Sequence, residues 1–262
     1  MKFTSAALLL IITARSFCET KQPSAQPIIP LYTLYSLSHE QFYTDWFLPT
    51  LQDTNYRVMI REVEQRYPSG IVASAQWQQA MLDKVDVILS AIKENWENVF
   101  IFSDVDIQFF APTWPDVQAA IDNHDMAIQA MVTGGEKTDT NILCTGFFAC
   151  RANKQTLKLW RDIQTCIARL PHTGEQDTLN DLLHHHNNTY QIRYCLLPET
   201  FMCGKPDGRR LWWQAKTVCT TTIPDGVMLH HANYTQSLAD KIDQLRYVRR
   251  VVEERTRKSS SL

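Results

Sequence analysis

The sequence predicts an α/β fold: a single domain on a mostly parallel mixed sheet, covered by helices on both faces. Three observations carry this. Apolar runs of strand length, such as Val99-Phe100-Ile101-Phe102-Ser103, alternate with longer stretches whose apolar residues recur at helical spacing. Parallel strands need long crossover connections, usually helices, so that alternation is the pattern such a sheet leaves in a sequence. A chain of 262 residues with 44% hydrophobic and 10% aromatic content is large enough to bury one sizeable core.

The elements follow in order. After a spacer carrying Pro23, Pro27 and Pro30, residues 28–35 read as a first strand. Ser38 is placed to N-cap a helix over 39–52, with Glu40 and Gln41 in its first turn. Residues 56–60 read as a second strand. Over 74–96, Trp77, Met81, Val85, Ile88, Leu89 and Ile92 fall on one helical face. The strand ending at Asp104 comes next, then a loop and helix start at Pro112 and Pro115. Residues 126–132 form a strand broken by Gly134-Gly135, and 142–150 is apolar around Gly146. A helix over 153–170 carries Leu157, Trp160, Ile163 and Ile167 on one face, and Gly174 precedes a helix over 175–184. Late strands are expected at 192–197 and 227–229, and a last helix over 238–252. No internal repeat and no second domain is visible. The expected organisation is a leader over 1–18, a spacer over 19–29, the domain over 30–252 and a basic, Ser-rich tail over 253–262.

The first residues have the layout of a secretory signal: Lys2, a short apolar stretch over 6–12, and small residues at Ala14 and Ser16. That stretch is too short to span a bilayer, so the expectation is export, to a secreted or Golgi-like lumenal site, without a transmembrane segment. A net charge of −2 with pI near 6.4 argues against a nucleic-acid partner. The basic cluster of Arg249, Arg250, Arg255, Arg257 and Lys258 reads as a solvated helix end. Of seven cysteines, Cys18 falls in the leader. Cys144, Cys150, Cys166, Cys195, Cys203 and Cys219 permit disulfides in an exported chain, in connectivities the sequence leaves open. No C-x-x-C pair is present, which argues against zinc.

Asp104-Val105-Asp106 carries the chemistry. Two carboxylates one residue apart at the end of a buried strand are costly unless something offsets their charge. Ligands of open α/β sheets bind beyond the carboxyl ends of strands. A divalent cation bearing a nucleotide diphosphate meets both facts, and oxygen ligands suit Mg²⁺ or Mn²⁺. The plain alternative is a turn or helix cap.

Further motifs stand in order behind it: Lys84 on the preceding helix, Thr145-Gly146-Phe147-Phe148, Glu175-Gln176-Asp177, and His231-Ala232-Asn233-Tyr234 with Lys241 downstream. Together with the D-x-D pair, this set resembles the nucleotide-diphospho-sugar transferase family of GT-A (Rossmann-like) fold, the group containing retaining xylosyl- and arabinosyltransferases. The likeness runs over about residues 30–250. It implies a metal-dependent glycosyltransferase using Mn²⁺ or Mg²⁺ and a nucleotide-sugar donor, commonly UDP-linked, with a glycan, protein or small-molecule acceptor. It implies that Asp104, Asp106 and His231 hold the metal, with Asp104 also facing the donor. Lys84, Gly146 and Lys241 are implied on the nucleotide side, the bare backbone at Gly146 allowing donor or acceptor to approach closely. Glu175-Gln176 stands where the family carries an Asp-Gln pair near the anomeric carbon; the first residue is one methylene longer here.

Glycosyl transfer needs a stabilised leaving diphosphate and a carboxylate or amide oxygen beside an oxocarbenium-like carbon. Gln176, Glu175 or Asp177 can supply that oxygen. Each has a plainer reading too: acidic residues favour a helix N-terminus through its dipole, and His230 or His231 can serve as a core histidine. The run His184-His185-His186 reads as a helix end, since consecutive helical residues point in different directions. Trp212-Trp213 suits either sugar stacking or core packing. Two competing functions remain: a family member that binds a nucleotide sugar or glycan without transferring it, and a metal-dependent phosphohydrolase or nucleotidyltransferase. The latter usually needs a second metal, and no second acidic cluster follows a strand.

Overall fold

β1 (Ile29–Tyr35) pairs in parallel with β2 (Tyr56–Glu62) on one side and β3 (Val99–Ser103) on the other. β6 (Leu143–Arg151) lies antiparallel to β3, β5 (Met126–Ala130) antiparallel to β6, and β7 (Tyr194–Leu196) parallel to β5. The sheet order is β2-β1-β3-β6-β5-β7, and only β6 runs against the rest. This computed structural model describes residues 27–64, 75–130, 142–170, 172–185, 188–204, 222–233, 235 and 237–259. The leader, Gly134-Gly135, Trp212-Trp213, Cys18, Cys219 and Tyr234 lie outside the described residues.

Strands buried on both faces read as continuous apolar runs, and β3 shows why. Phe100 and Phe102 point to one face, where α3 (Ala75–Glu94) and α5 (Lys154–Arg169) bring Val85, Ile88, Ile92, Trp160 and Ile163. Phe102 stacks on Phe148 at 5.5 Å and Phe148 on Trp160 at 5.4 Å. Ile101 points to the other face, with Leu31 and Phe147, where α4 (Trp114–Ile121) contributes Trp114, Val117 and Ile121.

That second face also holds a small sheet. β4 (Ile107–Phe109) is antiparallel to β9 (Leu229–His231), and β8 (Phe201–Cys203) is parallel to β9. The sequence reading has no strand at β8 and ends the last strand at 229. Three-residue strands hold too little alternation to be read, and the shift matters because it puts His231 inside β9.

Helix starts follow local chemistry. The Asp53 carboxylate accepts from Thr113 N at 2.8 Å and Trp114 N at 2.8 Å, serving the orphan donors of α4 from outside the helix. Asn153 opens α5 with a capping box: its side chain accepts from Thr156 N while the Thr156 hydroxyl accepts from Asn153 N. The helix expected over 39–52 is instead a 3-10 turn Leu37–His39, α1 (Glu40–Phe42), a π turn Tyr43–Phe47 and α2 (Leu48–Thr50), and Ser38 does not cap it. The widening precedes Pro49, which has no N–H to give. α6 (Glu175–Asn180) likewise passes into a π turn Asp181–His185. α7 (Leu238–Ser259) runs past the expected end at 252, because Arg255 anchors its last turns by donating to Ile223 O at 2.9 Å and pairing with Asp225 at 3.2 Å.

No described helix is long and apolar enough to cross a membrane. The five described cysteines past the leader, Cys144, Cys150, Cys166, Cys195 and Cys203, are all free thiols.

Candidate functional site

The D-x-D turn leaves β3 at the point where two neighbouring strands grip it. Asp104 N donates to Gly146 O of β6 at 2.7 Å, and Ala232 N, just past β9, donates to Asp106 O at 2.9 Å. β9 therefore delivers His231 directly against the carboxylates, as its register partner is Ile107, next to Asp106. His231 Nε2 lies 3.3 Å from Asp106 Oδ1 and 3.7 Å from Asp104 Oδ2. Asp104, Asp106 and His231 each offer a donor atom, and the three atoms lie within 4.8 Å of one another.

Gly146 is what lets the ring sit there. A Cβ added at Gly146 would lie 2.2 Å from His231 Cε1 and Nδ1. The sequence reading kept that space for donor or acceptor; in the structure the His231 imidazole uses it. The requirement for glycine is therefore a close approach inside the protein.

Two lysines complete the cluster. Lys84, on α3, is buried between two carboxylates, 2.9 Å from Asp104 Oδ1 and 2.9 Å from Glu175 Oε1. Lys241, on α7, pairs with Asp106 Oδ2 and donates to Ala232 O at 3.0 Å. Three carboxylates thus face two ammonium groups, leaving one net negative charge when His231 is neutral. The side chains are 25% exposed at Asp104, 9% at Asp106 and 7% at His231, so the cluster opens to solvent on the Asp104 side.

The electrostatics follow from burial and these neighbours. Burial pushes the Asp104 carboxyl up to about 6 against the pull of Lys84, with the Asp106 charge adding to the rise. Burial also acts on Asp106, but Lys241 and His231 outweigh it and hold Asp106 well below the usual carboxylate range. For His231, burial lowers and the charges of Asp106 and Cys144 raise, the balance reaching about 10. Lys84 is held above the ordinary lysine value, burial being overcome by Asp104 and Glu175.

The Glu175-Gln176-Asp177 segment divides. Glu175 is buried, taking the Lys84 ammonium and a 2.8 Å bond from the Thr145 hydroxyl. Gln176 accepts from Thr145 N at 3.3 Å and is half-buried. Asp177 is exposed. His230 belongs to the core: its ring nitrogens each lie 3.3 Å from the side-chain amides of Gln108 and Gln244, and burial, reinforced by His231, lowers it to about 3. His184 packs edge-on against Tyr194 at 6.2 Å.

Sequence reasoning missed the surroundings of His231 Nδ1. Cys144 Sγ lies 3.4 Å away and Cys203 Sγ 3.8 Å away. They come from β6 and β8, and no spacing rule links them to His231.

A domain of this topology, with a carboxylate pair at the end of a central strand, has counterparts. The family profile described as nucleotide-diphospho-sugar transferase matches residues 51–245. The chain belongs to the nucleotide-diphospho-sugar transferase family. It is therefore a nucleotide-sugar-dependent glycosyltransferase, and its fold is that of the GT-A glycosyltransferases. Among solved structures it is similar to a glycosyltransferase involved in the glycosylation of the major capsid of PBCV-1, with a TM-score of 0.54 and 12% identity, over 84% of this chain and 100% of that one. It is also similar to the WbbM bifunctional glycosyltransferase, with a TM-score of 0.53 and 8% identity, over 86% of this chain and 50% of that one. No curated protein sequence matches.

Proposed function

We propose that this transferase moves a sugar from a UDP-linked donor to a hydroxyl acceptor, with retention of the anomeric configuration and with a divalent cation at Asp104, Asp106 and His231. The observation that carries the reading is the convergence of those three donor groups at the open end of β3. Two carboxylates and an imidazole suit Mn²⁺, the metal taking the place of the proton on the imidazole. When bound, the metal supplies Lewis-acid stabilisation of the leaving diphosphate.

The chain's own residues do the rest. Lys84 and Lys241 hold the carboxylates together and place two positive charges beside the departing diphosphate. Glu175, pinned by Lys84 and Thr145, acts as a fixed negative charge behind the site. The Gln176 side chain, set by Thr145 N, offers an amide oxygen near the anomeric carbon. The acceptor hydroxyl attacks from the face the diphosphate leaves, and the departing phosphate oxygen takes its proton. A leader of the kind read at the N-terminus directs this chemistry to a Golgi-like lumen or a host compartment where nucleotide sugars are available.

Calorimetric titration of UDP, GDP and CDP into the purified chain, with and without Mn²⁺, tests the reading. UDP binding that requires Mn²⁺ and is lost in Asp106→Asn is expected, together with donor hydrolysis or transfer by the wild type. Absence of binding by any nucleotide, or unchanged metal-dependent binding in Asp106→Asn, would overturn it.

A further inference from the structure

His231 has two ring nitrogens, and the proposed donor site uses one of them. Nε2 faces Asp104 and Asp106, while Nδ1 faces two sulfurs. Cys144 Sγ, Cys203 Sγ and a His231 nitrogen lie within 4.8 Å of one another, and all three residues are buried. Tetrahedral zinc, with Zn–S of about 2.3 Å and Zn–N of about 2.0 Å, sets neighbouring sulfur and nitrogen ligands about 3.5 Å apart. The separations here, 3.4 and 3.8 Å, straddle that value. A second observation points the same way. Asn233 Nδ2 donates to Cys203 Sγ at 2.9 Å, the arrangement that stabilises charge on a ligating sulfur. Its Oδ1 is buried with no hydrogen-bond partner among the described residues, an oxygen that a cation or its bound water would satisfy.

We propose that Cys144, Cys203 and His231 Nδ1 form a soft-metal site of Cys2His type, suited to Zn²⁺, back to back with the carboxylate site. Two thiolates and an imidazole select zinc over the manganese or magnesium that carboxylates prefer. Binding releases the thiol protons to solvent. A neutral imidazole has one lone pair, so zinc at Nδ1 leaves Nε2 protonated and aimed at Asp106. The two ions then compete for one ring, and zinc acts as an inhibitor of donor binding. This consequence, unlike the zinc site itself, rests on the proposed role of Asp104, Asp106 and His231.

Co²⁺, a spectroscopic stand-in for Zn²⁺, tests the site directly. The full chain, reduced and stripped with chelator, is equilibrated with Co²⁺ and followed by absorbance. One equivalent with sulfur-to-cobalt charge transfer and strong tetrahedral visible bands is expected, bleached by Zn²⁺. Cys144→Ser and Cys203→Ser, each verified as folded by circular dichroism, weaken Co²⁺ about tenfold or more, while Asp106→Asn retains the bands. Zinc loading raises the Mn²⁺ needed for UDP binding by a similar factor. Absence of thiolate bands in the folded wild type, their persistence in both serine variants, or a Cys144–Cys203 disulfide in chain isolated without reductant would overturn the proposal. An unchanged Mn²⁺ requirement with the thiolate bands intact would overturn the sharing of His231 between the two sites and leave the soft-metal site supported, whereas no Mn²⁺-dependent UDP binding even without zinc would overturn the carboxylate-site reading alone.

Discussion

Gly146→Ala tests the proposed metal site separately from the fold. The added methyl would sit 2.2 Å from two atoms of the His231 ring, whereas ordinary carbon contacts begin at about 3.5 Å. The ring must therefore move by about an ångström, because Gly146 lies within β6 and its carbonyl is held by Asp104 N at 2.7 Å. Overpacking of this kind costs about 1–3 kcal/mol. At about 2–4 °C per kcal/mol for a domain of this size, Tm falls by about 2–12 °C. Metal ligands tolerate displacements of only about 0.2 Å, so on the proposed function Mn²⁺-dependent UDP binding weakens by about 100-fold or more in Kd, the upper end of what a disturbed ligand costs. Calorimetry and a thermal melt on the same sample measure both. Gly226→Ala is the control: its φ of +68° strains any side chain, yet nothing lies within 4 Å of the new methyl. It lowers Tm by a few degrees and leaves nucleotide binding unchanged. Wild-type metal-dependent binding in folded Gly146→Ala would refute both the role of His231 and the reason given for the glycine.

Lys84→Met leaves Asp104 and Glu175 facing each other without their shared cation. Breaking a buried pair by removing one partner costs about 3–5 kcal/mol, and adding Glu175→Gln recovers part of it, as urea unfolding would show. Glu175 also predicts a pH effect. Burial raises its pKa, but Lys84 and the Thr145 hydroxyl together with the backbone more than offset this, so the folded value lies below the ordinary one. Its contribution is present above the unfolded pKa of about 4.3 and is lost as pH falls through the lower folded value. Glu175→Gln should therefore flatten the acid limb of stability below the unfolded pKa, and an unchanged limb would exclude it as a contributor. Asp53→Ala strips the N-terminus of α4 of the carboxylate that accepts from Thr113 N and Trp114 N. It costs about 1–3 kcal/mol in thermal melts and leaves UDP affinity intact.

The sheet, the long helices and the D-x-D pair are legible because their signals are local. β3 is apolar from Val99 to Phe102 as both its faces are buried, α3 and α5 repeat at helical spacing, and Asp104 and Asp106 sit one residue apart where a strand ends. Ordered motifs also brought Lys84, Glu175, His231 and Lys241 into view, though not which of them would touch. Tertiary structure decided that. It set Lys84 between Asp104 and Glu175, gave the Gly146 clearance to a ring 85 positions away, and left Asp177 exposed. It also decided the antiparallel course of β6, since strand direction comes from long-range pairing, and the sheet carrying His231, whose three strands are each three residues long and too short to announce themselves. The cysteines make the contrast plainest. By spacing they argue against zinc; across β6, β8 and β9, two of them meet the far side of the His231 ring. Sequence records periodicity and adjacency along one chain. Contacts between residues 28 and 87 positions apart exist only once the strands between them have paired.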